Sequence, residues 1–84
     1  MPIERVYCVP IDESNALNCA RDPSARVEDM VSMYADCIIS EAKARERGSS
    51  DRVDWASLNR AISERWSLLR IKKLAWKKID GGKQ

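Results

Sequence analysis

Histidine and phenylalanine are absent from the 84 residues, and glycine and proline occur three times each. Without histidine, the commonest general base and the commonest metal ligand are both missing. An enzyme built on this chain would need a Cys or Ser nucleophile with a Lys base, or a pair of carboxylates. Cys8, Cys19 and Cys37 have no flanking motif that would lower a thiol pKa. Asp29 and Asp36 are seven residues apart, but on a face that should be solvated. The expectation is a protein that is not an enzyme. The cysteines are 11 and 18 residues apart, which does not match zinc-site spacing. The only adjacent glycines stand at the C-terminal end, so no glycine-rich phosphate loop is present. No cofactor and no metal are expected.

Long apolar runs are lacking too. No stretch approaches the roughly 18 residues of a spanning helix, so a membrane partner is not expected. The N-terminal residues MPIERVYCVP carry charges where a secretory leader needs an apolar run. The cysteine count is odd and there is no C-x-x-C, so free thiols in a reducing compartment are expected. The reading is an intracellular protein, cytoplasmic or nuclear. A chain this short buries only about 60–65% of its unfolded surface, so its stability is expected to be marginal.

The net charge of +2 conceals a division. Residues 1–59 hold 7 basic and 11 acidic side chains, while residues 60–84 hold 8 basic and 2 acidic. Such a split implies an acidic partner for the basic end, or internal neutralisation by the acidic half.

Along the chain, residues 3–9 (IERVYCV) have β-type content between Pro2 and Pro10, and an extended segment is expected. Residues 11–21 are polar and weakly patterned, a loop with at most one helical turn near Asn15–Ala20. Asp22-Pro23 is a helix-start signal, with Asp as cap and Pro at the first helical position. Val27, Met30, Val31, Tyr34, Cys37, Ile38 and Ala42 then share an arc of roughly 120°. Arg45, Arg47 and Gly48 supply the end of a helix over 23–47.

A second helix starts at Asp54, with Val53 and Leu58 placed as a hydrophobic staple. Trp55, Leu58, Ile62 and Trp66 form its stripe. At Ser67 two readings diverge. In the favoured one Ser67 caps a new helix, Trp66 and Ile71 form a second staple, and Leu68, Ile71, Ala75 and Ile79 share a face. In the other, one long helix runs on, with Trp55, Ile62, Leu69 and Trp76 at heptad spacing. That alternative puts Lys73 in the middle of the apolar stripe. Asp80-Gly81-Gly82 should end the last helix.

The fold class is therefore mainly α. A single small helical domain spans 1–84, with extended segment and loop at 1–21, the helical part at 22–80 and a tail at 81–84. The tryptophans Trp55, Trp66 and Trp76 supply core volume in the absence of Phe. Trp76 borders the basic face and is the best candidate for an exposed anchor. Arg65, Arg70, Lys72, Lys73, Lys77 and Lys78 would make a basic stripe about 20 Å long on a helix. With Trp76 they are the candidate partner-binding residues. The function expected is a non-enzymatic protein–protein interaction module: an adaptor, a small complex subunit or an inhibitor of a larger protein. Its partner would present an acidic protein surface. The alternative is a nucleic-acid-binding protein that contacts phosphates through the same helix. No helix-turn-helix, RNP-like or zinc-finger pattern accompanies it. Self-association is left open.

Overall fold

A computed structural model describes residues 13–82. The extended segment expected at 3–9 and the last two residues lie outside the described residues. Four α-helices follow one another: α1 Glu13–Arg21, α2 Val27–Glu46, α3 Trp55–Ser63 and α4 Leu68–Gly82. No strand occurs among the described residues. α2 is the centre of the arrangement and packs on α1 and α4. α1 also lies against α3, and α3 touches α4. The largest fully buried side chains are Met30, Cys37, Leu58, Ile62 and Ile71, so α2, α3 and α4 each contribute to one core.

α1 corrects the expectation of a loop at 11–21. Its inner face is made of alanines, Ala16 and Ala20, both buried, with Leu17 and Cys19 packed beside them. Alanine favours helix strongly but adds little to an apolar pattern, so small residues hid an element that packs closely.

α2 starts at Val27, four residues later than the Asp22-Pro23 signal suggested. The Asp22 carboxylate accepts the backbone N–H of Ser24 (2.9 Å) and its hydroxyl (2.8 Å), while Ala25 N–H bonds back to Asp22 O. Asp22 therefore closes a tight turn instead of capping a helix. The cap is Arg26, whose side chain has no acceptor to offer. Only the return half of a capping box forms, with Arg26 N–H donating to Asp29 Oδ2 at 3.0 Å. The other end ends as expected. Gly48 has φ +76°, Ser49 N–H reaches Ala44 O at 2.8 Å and Gly48 N–H reaches Arg45 O at 3.0 Å. These two bonds are the Schellman pair that satisfies the last carbonyls. The buried stripe of α2 runs through Met30, Tyr34, Cys37, Glu41 and Ala44, and Ala42, expected inside, is exposed.

α3 begins as read, with Ser57 N–H donating to Asp54 Oδ1 at 3.2 Å and both staple residues, Val53 and Leu58, buried. It ends at Ser63, and the long-helix alternative is excluded. Ser67 Oγ accepts Arg70 N–H at 3.3 Å, Trp66 is half-buried and Ile71 is fully buried, which completes the second cap and staple. α4 continues through Gly81 and Gly82, two residues past the expected end.

Candidate functional site

The break between Ser63 and Leu68 decides which of the candidate residues share a surface. Arg65 falls in the connection and not on a helix. Its Nη1 donates to the carbonyl of Ala20 at 3.0 Å and to that of Asp22, and its Nη2 donates to Ala25 O at 3.2 Å. The guanidinium carbon also lies 4.2 Å from the centre of the Trp66 ring. Three carbonyls, one from the last turn of α1 and two from the α1–α2 connection, converge on one planar donor, so Arg65 joins this corner to the α3–α4 link. The structure thus sets it apart from the other six candidates.

Those six stand on α4. Ile71 and Ala75 are fully buried and face α2, with Leu68, Leu74 and Ile79 packed beside them. At 100° per residue this orientation divides the remaining positions. Lys72 and Trp76 lie on one flank, with Leu69 beside them. Arg70, Lys77 and Lys78 lie on the other, while Lys73 points straight outward. All five cations are exposed. Leu69 is 65% exposed and Trp76 is 50% exposed, the two large apolar side chains that α4 leaves to solvent.

The flanks form separate grooves, because α4 crosses α2. On one side Arg70, Leu74, Lys77 and Lys78 meet Val27, Glu28 and Val31, from the N-terminal half of α2, around an open groove of about 500 Å³. On the other, Trp76 meets Tyr34, Ile38 and Ala42 with Trp55, around a smaller groove of about 290 Å³. Tyr34 and Trp55 pack with ring centres 5.1 Å apart at 48°. Burial, and then the neighbouring Cys37, push the Tyr34 hydroxyl pKa up, so it stays a neutral donor to Asn59 Oδ1 at 3.3 Å.

Among the described residues the only ion pair is Arg45 with Glu41, at 3.7 Å within α2. No carboxylate of the described residues pairs with Arg70, Lys72, Lys73, Lys77 or Lys78. Internal neutralisation, one of the two readings of the charge split, does not occur through direct pairs there. Four acids of residues 1–59 are used elsewhere. Asp22 and Asp54 hold serine donors, Asp29 holds the start of α2, and Glu41 is buried.

Glu41 is the residue that sequence reasoning passed over. Its carboxylate accepts Val53 N–H at 2.9 Å and Trp55 Nε1–H at 3.2 Å to each oxygen. It ties the α2–α3 loop to α2 and orients the indole. Its position on the buried stripe, seven residues after Tyr34, was the available signal.

No group of His, Cys, Asp or Glu among the described residues is arranged to hold a metal ion. None of the described helices is long and apolar enough to cross a membrane. No protein-family model, curated protein or solved structure matches this chain.

Proposed function

We propose that this protein is a non-enzymatic interaction module that binds an acidic surface of a larger protein through α4. One observation carries the reading: α4 carries five cations without ion-pair partners among the described residues and two exposed apolar side chains, Leu69 and Trp76, which Lys72 and Lys73 flank. A face that only kept the chain in solution would have no use for a half-exposed indole. A face made only for phosphates would have no use for an exposed leucine. Apolar anchors amid long-range positive charge give steering and a contact centre together. As a small subunit, adaptor or inhibitor, the chain would present this helix while α1, α2 and α3 hold it rigid.

The test is a pull-down from the native source with the full chain, with and without nuclease, beside the triple variant Arg70→Glu, Lys73→Glu and Lys77→Glu. Captured protein that survives nuclease and is lost in the triple variant supports the proposal. Capture abolished by nuclease, with binding to oligonucleotides that falls steeply as salt rises, overturns it in favour of phosphate contact. A triple variant that keeps every partner shows that this face is merely solvated.

A further inference from the structure

We infer that the groove between α2 and α4 is a docking site for a short acidic peptide segment that carries aliphatic side chains, presented by the partner. This rests on the reading of α4 as the interaction helix and names where and what it grips. The groove floor is aliphatic, formed by Val27, Val31 and Leu74, and its rim is cationic, formed by Arg70, Lys77 and Lys78. Val27 and Leu74 are partly exposed, so the floor is reachable from solvent. About 500 Å³ accommodates two or three aliphatic side chains.

Charge selects the occupant. The three rim cations, without carboxylate partners among the described residues, complement Asp or Glu side chains placed beside the buried aliphatic ones. The aliphatic floor offers a nucleic-acid backbone nothing, whereas it receives the aliphatic side chains of a peptide. A second copy is a poor complement. Its own α4 repeats the same positive rim. The groove also differs from the Trp76 flank on the other side of α4, whose smaller groove is walled by the aromatic Tyr34, Trp55 and Trp76 and holds none of the α4 lysines.

The probe is a fluorescent synthetic peptide of leucine and glutamate, with leucines three and four residues apart, titrated into the full chain and followed by anisotropy. A control peptide has lysine in place of glutamate. Leu74→Glu and the double variant Lys77→Glu, Lys78→Glu test the groove, and Trp76→Ala tests the other flank. Circular dichroism establishes that each variant is folded, and the surface lysine pair keeps the test valid should Leu74→Glu unfold. The expected result is binding of the acidic peptide alone, weakened about tenfold or more by either groove change and about twofold or less by Trp76→Ala. Binding lost in Trp76→Ala but kept in both groove variants overturns the groove and leaves the acidic-partner reading standing. Equal binding of both peptides, or none of the acidic one, overturns the groove inference. Association of the chain with itself, abolished by the lysine pair change, would replace the peptide by a second copy and also overturn it.

Discussion

At the residue scale, Glu41 shows how one polar side chain can hold a small core together. A carboxylate is seldom this buried unless its lone pairs are satisfied, and here a backbone N–H and an indole N–H satisfy them. Glu41→Ala leaves both donors without this acceptor and should cost about 1–3 kcal/mol, measured by urea unfolding. Glu41→Gln keeps one acceptor oxygen and should cost less. Asp54 makes a pH prediction. Its carboxyl is held below the ordinary value by the Ser57 backbone N–H first and the Ser57 hydroxyl second. A carboxylate lowered on folding adds stability that is complete above its unfolded pKa, about 3.9, and is lost as pH falls through the lower folded value. The thermal midpoint should therefore decline below about pH 4, and Asp54→Asn should flatten part of that decline. Gly48 is the third such residue. A Cβ added there would meet nothing within 4 Å, so Gly48→Ala should cost only the left-handed backbone penalty, about 1–2 kcal/mol.

At the element scale, both C-terminal helices start by the same device, an apolar residue, a polar cap, and a buried aliphatic side chain at the fourth helical position. Val53, Asp54 and Leu58 begin α3, and Trp66, Ser67 and Ile71 begin α4. Ser67→Ala should cost about 0.5–2 kcal/mol by loss of the cap. Far-ultraviolet circular dichroism together with the thermal midpoint would read it. Ile62→Ala, at a fully buried position of α3, should cost about 2–5 kcal/mol. The apolar stripe of α3 places Trp55 with Ile62 in the core. The structure shows it half-buried, packed on Tyr34 and hydrogen-bonded to Glu41, so its truncation disturbs that anchoring as well as packing.

At the scale of the molecule, Arg65 links segments 40 to 45 residues apart in sequence. A lysine carries one ammonium point and cannot reach three carbonyls in a plane. Arg65→Lys should therefore destabilise nearly as much as Arg65→Ala, by about 1 kcal/mol given the exposure of the group. By contrast the triple change of Arg70, Lys73 and Lys77 to Glu should leave unfolding free energy within about 0.5 kcal/mol per site. The spectrum should stay helical. The difference between these two results, measured in parallel melts, separates the arginine that builds the fold from the cations that face outward.

The features legible in the residue string were local ones. The caps at Asp54 and Ser67, the staples, the left-handed Gly48 and the apolar arc of α2 all act within one or two helical turns, so spacing alone reveals them. α1 escaped because its contact face is alanine, whose burial depends on neighbours brought near by folding. The start of α2 moved because Asp22 closes a turn on Ser24, and the carbonyls of that turn accept Arg65, 43 and 40 residues away. The candidate site divided for the same kind of reason. Six of its seven residues were correctly placed on one helix, but a helix has no inside until something packs on it. Burial of Ile71 and Ala75 against α2 turned Arg70, Lys77 and Lys78 toward one groove and Trp76 toward another. Charge and periodicity are properties of the chain, whereas a groove is a property of two helices that cross.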